Sequence, residues 1–453
     1  MSEQETIQDI GGQEQPVQPE YEEPKTNTQN ISAAILFMLS LLLLNEIALQ
    51  KLNKYKQKYP RCFDYVQATQ VTTLIGFFAG FILNLTDIIN IREVMKEGFS
   101  SFFLIVLLPP ILYESAINME REFFYKNFGS ILIFAVFGTL IASLSTAFLM
   151  YIVSFGLNIE HLTLTACIAF GALVSATDPV AVLSIFKEFG VDPILFSLIF
   201  GESILNDAVS IILFETTVES RENQTDTMMA ILKFVYVFLG SILLGVTIGL
   251  LCAYILKHRE QKRQDVQSLN KESQNTRETT ILFVVPYVSY FISEGLGMSG
   301  IVSIMFCGIS MARYALMNVD PQTRRLNKKL YHTLSYSFEN LVFLFIGIGF
   351  VSFDLAWKEC GFTLIFAMFA VIMLSRYINI GLISFILNKN RKKYKITPTY
   401  QFFIWYSGFR GAMAFALSLK ATEIFVVGRI GNIMLTIVLC YAMLNEISLR
   451  QKI

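Results

Sequence analysis

The sequence predicts an all-α polytopic membrane protein with about thirteen transmembrane helices, and three observations carry that prediction. Hydrophobic residues fill 54% of the 453 positions and charged residues only 16%, where soluble domains run near ~25% charged. Apolar runs close to the ~20 residues that cross ~30 Å of hydrocarbon recur along the chain after residue 30. The basic residues between those runs fall mostly in alternate loops. Because 36 Lys and Arg balance 36 Asp and Glu, no net positive charge is available to neutralise phosphates, and a nucleic-acid partner is not expected. The apolar content equally excludes a disordered chain.

Residues 1–30 are polar and rich in Gln and Glu, and read as a disordered extracytoplasmic tail. The tail lacks a basic stretch followed by a small-residue cleavage site, so the first apolar run is expected to stay in the mature protein. Spans one to six cover about 31–50, 65–85, 99–118, 128–153, 162–186 and 194–214. A linking span follows at about 228–256. Spans eight to thirteen lie near 279–293, 300–312, 333–351, 361–388, 399–418 and 431–448. Residues 31–453 thus form one transmembrane domain.

Thirteen spans place the termini on opposite sides. The loops on the side of residues 51–64 carry 26 Lys and Arg; those on the side of the N-terminal tail carry 7. Only Lys233, Arg376 and Arg410 remain inside spans. The basic side faces the cytoplasm, which puts the C-terminus there and the N-terminus outside or in a lumen. Three glycosylation sequons, at Asn30, Asn84 and Asn223, all fall on the outer side, and Asn223 is the one clear of the membrane. The six Cys and three His are scattered and form no zinc or disulfide pattern. No cofactor is expected.

Ionisable groups in mid-span are costly and mark function by default. Span six, SLIFGESILNDAVSIILFE, holds Glu202, Asn206 and Asp207 near its middle. At ~100° per residue Glu202 and Asn206 share a face, and Asp207 is turned away by about one step. The two acids therefore have different partners. Span five contains Thr177-Asp178-Pro179, a helix-start signature in mid-membrane. Non-helical backbone at that depth survives only where it lines a buried cavity. Span twelve carries Ser407-Gly408-Phe409-Arg410-Gly411, a second interruption that holds a charge. Spans five and twelve occupy matching positions if spans one to six and eight to thirteen form two halves, and such paired interruptions point to a transporter's midplane ion site.

Arg376 in span eleven requires a carboxylate, because an unpaired buried guanidinium is expensive; Glu202 and Asp207 are the nearest candidates by segment order. Glu46, Glu114, Glu294, Glu339 and Glu446 are further acids embedded in or bordering spans. Gly76/Gly80 and Gly245/Gly249 are G-x-x-x-G pairs explained by close helix packing. There is no nucleophile elbow, zinc helix or P-loop, so an enzyme is not expected.

Several stretches, taken in order, resemble the eukaryotic sodium/proton exchanger family: FFLIVLLPPILYES at 102–115, NFGSILIFAVFGTLIAS at 127–143, SATDPVAVLSIFKEFGVDP at 175–193, FGESILNDAVSIIL at 200–213, MSGIVSIMFCGI at 298–309, SFENLVFLFIGIG at 337–349 and GFRGAMAFALSL at 408–419. VDPILFSLIFGESILNDAVSI and AMAFALSL are most like the Golgi/endosomal branch, which implies a Golgi or endosomal membrane, with the plasma membrane as the other location. The resemblance implies a homodimer whose protomer has two inverted repeats with crossed broken helices. It implies that Asp207 is the carboxylate that alternates between Na⁺ or K⁺ and a proton, with Asn206, Thr177 and Asp178 beside the ion. By the same resemblance Glu202 and Arg376 form a structural ion pair and Arg410 compensates the helix dipoles at the crossing. Glu294, Pro109 and Pro110 would line the outer cavity. The sequence departs from the family in ending close after the last span, where a cytosolic regulatory tail is expected. The function implied is electroneutral antiport serving pH and cation homeostasis. A non-transporting scaffold or sensor that kept the fold is the rival, and the retained Asp207, Asp178, Arg376 and Arg410 argue against it.

Overall fold

A computed structural model of the chain describes residues 25–59, 66–85, 98–119, 121–156, 162–177, 193–223, 227–265, 271–390, 395–408, 410–426 and 429–448. All regular structure among these residues is helical. Among the described residues, eight helices are long and apolar enough to cross a membrane. The chain is an all-helical, multi-pass membrane protein.

The helices are α1 (Lys25–Lys58), α2 (Ala68–Leu85), α3 (Leu108–Asn118), α4 (Arg121–Ile133), α5 (Thr139–Gly156), α6 (Leu164–Ser175), α7 (Pro193–Glu222), α8 (Thr227–Asp265), α9 (Lys271–Gly295), α10 (Gly300–Ser310), α11 (Pro321–Ser352), α12 (Trp357–Asn390), α13 (Pro398–Tyr406), α14 (Ala412–Ile424) and α15 (Ile430–Ser448). Each of the thirteen apolar runs corresponds to one or two of them. The short eighth and ninth runs are α9 and α10, and the interrupted twelfth is the pair α13 and α14. The tail expected to end at residue 30 lies mostly outside the described residues, and α1 already begins at Lys25.

Local chemistry sets many of these boundaries. Asp320 accepts a hydrogen bond from the Gln322 amide at 3.1 Å, with Pro321 at the first helical position of α11. Thr163 and Thr397 cap α6 and α13 in the same way, each satisfying an amide that the helix cannot. Three π turns, Phe103–Leu107, Phe134–Gly138 and Met311–Ala315, interrupt the hydrogen-bond ladder. Such wide turns collect at functional sites. The first leads into α3, whose opening prolines Pro109 and Pro110 donate no backbone hydrogen bond.

Packing sorts the helices into two bundles. In one, α11 lies along α2 and α3, and α10 is enclosed by α3, α8 and α9, with α1 on the flank. In the other, α4 to α7 pack with α12 to α15. The first bundle is fastened where backbones touch: a Cβ on Gly76 would stand 2.2 Å from the Leu344 carbonyl, and one on Gly245 2.3 Å from that of Ser303. The two G-x-x-x-G pairs therefore serve internal α2–α11 and α8–α10 contacts. In the second bundle α6 is buried on nearly every side, as expected of a helix that is apolar all round. The bundles meet where α11 touches α14 and α15, and where α7 touches α8.

Candidate ion site at the broken helices

Both interruptions lie at the centre of the second bundle. Helix α6 ends at Ser175, and Ala176 and Thr177 leave helical geometry. Asp178 and the rest of the predicted fifth span lie outside the described residues. Helix α13 ends at Tyr406, and α14 starts at Ala412 with Gly411 as its N-cap and no side-chain cap. The free amides of α14 and the free carbonyls of α6 therefore approach the same place from two helix ends, one positive and one negative.

Helix α7 threads this gap and supplies the polar groups. The hydroxyl of Ser203 donates to the Thr177 carbonyl. Since that uses its only proton, the 3.3 Å contact between the Thr177 and Ser203 hydroxyls has Thr177 as donor. The Asn206 amide nitrogen donates to Thr177 Oγ1 at 2.6 Å. The result is a directed chain, Asn206 to Thr177 to Ser203 and back to the Thr177 carbonyl. It fixes which way Asn206 faces. Its Oδ1 is buried and has no hydrogen-bond partner among the described residues. One turn on, Ser210 and Ser175 bond at 2.9 Å and tie the end of α6 to α7 again.

Asp207 is half-buried beside Asn206 and lines a cavity. Thr177 and Ala176 line it from the first interruption, and Gly411, Ala412 and Met413 from the start of α14. Ser115 of α3 and Glu339 of α11 face it from the other bundle, and the remaining lining is apolar. The cavity thus offers two carboxylates, two hydroxyls and a helix N-terminus, all hard ligands or dipoles suited to a small cation and a proton.

Glu202 points elsewhere. Its two oxygens meet Arg376 Nη1 at 2.7 Å and Nη2 at 3.0 Å, and both side chains are almost wholly buried, at 2% and 4% exposure. Arg376 Nη2 also donates to the Ile404 carbonyl at 3.2 Å, at the end of α13. Gly408 explains how the chain passes: a Cβ there would lie 2.8 Å from Arg376 Nε. Arg410 is buried, donates to the Gly408 carbonyl at 3.1 Å, and lies within electrostatic range of Glu202 and Asp207. Span six thus separates its acids by face, as the helical spacing predicts.

The structure therefore brings together Thr177, Asn206, Asp207, Glu202, Arg376 and Arg410. It does not place Glu294, Pro109 or Pro110 in the Asp207 cavity. Pro109 and Pro110 are buried in α3 between lining residues, and Glu294 accepts the Gly300 amide at 2.8 Å, at the turn from α9 to α10. Sequence reasoning missed Ser203, Ser210 and Ser115, and gave Glu339 no role. Ser203 stands one turn before Asp207, a small polar residue where an apolar one would pack, and that was the available signal.

A family model described as "Sodium/hydrogen exchanger, transmembrane" matches residues 65–449. The chain belongs to this sodium/hydrogen exchanger family. It is therefore a membrane transporter rather than an enzyme. Sodium/hydrogen exchanger 5 of Arabidopsis thaliana is 33% identical over 412 residues, which is 89% of this chain and 76% of that protein. Sodium/hydrogen exchanger 8 of Homo sapiens is 32% identical over 88% of this chain and 67% of its own length. Among solved structures, the sodium proton antiporter MjNhaP1 of Methanocaldococcus jannaschii superposes with a TM-score of 0.69 at 17% identity, covering 93% of this exchanger and 96% of that chain. That likeness shows that the two share a fold.

Proposed function

We propose that the exchanger trades one Na⁺ or K⁺ for one H⁺ at Asp207, by alternating access and without net charge movement. The observation that supports this most is the fixed orientation of Asn206, whose buried Oδ1 has no partner among the described residues. It is a neutral oxygen ligand beside a single carboxylate in the cavity. A cation there is bound by Asp207 and Asn206, with Thr177 at the unwound crossing and Asp178 as a further ligand. Cation and proton compete for the same carboxylate oxygens. Neutral Asn206 adds no charge, and one carboxylate exchanges one for one. Glu202 with Arg376 and Arg410 hold the crossing in shape.

The loop charges support a cytoplasmic orientation for the basic face. The domain of residues 31–453, its homodimeric assembly and a Golgi or endosomal membrane belong to the same reading, and pH and cation homeostasis is the role that follows. The test is exchange in proteoliposomes: a proton gradient should collapse on addition of Na⁺ or K⁺ in the wild type and not in Asp207→Asn. Wild-type rates in that variant would sink the assignment. Running Na⁺, K⁺ and Li⁺ in turn ranks the cations.

A further inference from the structure

The lining of the Asp207 cavity runs toward one end of the protein. It extends on α7 from Asp207 back to Phe200, on α3 from Leu108 to Ser115, and on α11 from Phe343 back to Glu339. The end of α3 and the start of α11 adjoin loops of the side that carries most of the basic residues. Continued by three residues, the lining face of α3 reaches Asn118. Continued by two turns, that of α11 reaches His332, past Ser335, whose hydroxyl donates to Glu339 at 3.0 Å.

The two faces converge on one atom. Asn118 Nδ2 donates to Glu114 Oε1 at 2.6 Å, and His332 Nδ1 lies 3.2 Å from the same oxygen. An ionised carboxylate only accepts, so Nδ1 carries the hydrogen of that bond. Both bonds fall on Oε1, and Oε2 takes none among the described residues. Glu114 is 15% exposed beneath a His332 that is 72% exposed. It is thus a carboxylate gripped by one oxygen, just under the surface, where the lining of the cavity ends. Its surroundings in sequence have the opposite sign: α11 starts with Arg324, Arg325, Lys328 and Lys329 and has no acid before Glu339. A cation entering from this face meets that basic field, and a fixed carboxylate at the mouth offsets it locally.

We propose that Glu114 is the entry ligand for the monovalent cation on the basic face: Asn118 and His332 hold its Oε1, and Oε2 receives the ion on its way to Glu339 and Asp207. His332 is a positioning residue, acting through Glu114. The proposal rests on the antiport reading above and adds the route by which the ion reaches the site from one side. Removing the carboxylate weakens cation capture from that side only, because the other side is reached without passing the ends of α3 and α11.

The experiment measures Na⁺-driven exchange in proteoliposomes of the full chain, sorted by orientation, with KM for Na⁺ read separately at each face. Glu114→Gln is expected to raise KM at the basic face roughly two- to fivefold, the range that a part-exposed charge supports, with kcat and the KM of the other face unchanged. Added choline chloride shrinks the difference by screening. His332→Leu raises the same constant by less, and His332→Gln, whose amide can still donate, restores most of that loss. Adding His332→Leu to Glu114→Gln has no further effect, because the group it positions is gone. No shift, an equal shift at both faces, opposite shifts at the two faces, or additive effects in the double variant would overturn the entry ligand. If Glu114→Gln does not fold, the exposed His332→Leu decides alone: KM at the basic face must rise and the other must stay. A wild type that exchanges with a normal requirement for Asp207 but shows none of these shifts refutes only the role of Glu114. A wild type with no exchange refutes the antiport reading beneath it.

Discussion

Replacing Glu202 by Leu tests the pair that holds the crossing together. The carboxylate makes two hydrogen bonds to Arg376, at 2.7 and 3.0 Å, and neither side chain exceeds 4% exposure. Truncating one partner strands a buried guanidinium whose remaining acceptor is the Ile404 carbonyl. Breaking a buried pair in this way costs about 3–5 kcal/mol, or roughly two to three and a half powers of ten in the folding equilibrium. Replacing both partners with apolar residues of similar volume is a different perturbation, because the desolvation penalty disappears with the charges. The Ile404 carbonyl keeps the Ser407 hydroxyl, at 2.8 Å, as a donor. Glu202→Leu with Arg376→Met should therefore lie within about 1–2 kcal/mol of wild type, far above either single change. Unfolding of the purified exchanger in mixed micelles, titrated with a denaturing detergent, measures all four proteins of this cycle. A Glu202→Leu variant as stable as wild type, or a double variant whose loss equals the sum of the singles, refutes the reasoning.

Three further outcomes follow from the same geometry. Asn206→Asp places a second carboxylate beside Asp207, so the loaded and empty sites no longer differ by one compensated charge; exchange should become sensitive to an imposed membrane voltage, to which the proposed one-for-one exchange of the wild type is indifferent. Ser203→Ala removes the last donor of the Asn206–Thr177–Ser203 chain and lets Asn206 turn, which raises KM for the cation by roughly 2–10-fold, the worth of one net hydrogen bond, with a smaller effect on maximal rate. Gly76→Val drives a side chain into the α2–α11 backbone contact, where even a Cβ would lie 2.2 Å from the Leu344 carbonyl; a loss of at least ~1–3 kcal/mol is expected in the same micelle titration, while the cation KM of the folded fraction stays unchanged.

The balance between sequence and structure differs from one residue to the next. The positions of the apolar runs were legible because crossing ~30 Å of lipid imposes length and composition on each segment independently of its neighbours. Glu202, Asp207, Arg376 and Arg410 stood out for a related reason: a charge in such a run is too costly to be there by chance. Ser203 and Ser115 carry no such penalty, since a hydroxyl can satisfy itself on a backbone carbonyl of its own helix. Nothing in one segment announces that Ser115 lines the Asp207 cavity or that Ser203 bonds to Thr177. The glycine pairs were legible as close contacts, but their partners on α11 and α10 were not.

The sequence by itself determined that the chain crosses the membrane many times, which segments are broken, and which buried charges need an explanation. Those properties arise from the fit between each segment and the bilayer. Only the tertiary structure decided which acid meets which base, because helix order does not specify contacts between distant spans. Glu202 and Arg376 lie 174 positions apart, and Lys420 and Glu215 lie 205 apart. It is the packing of α7 between two interrupted helices that turns one acid of span six toward Arg376 and leaves the next residue but four, Asp207, facing the cavity.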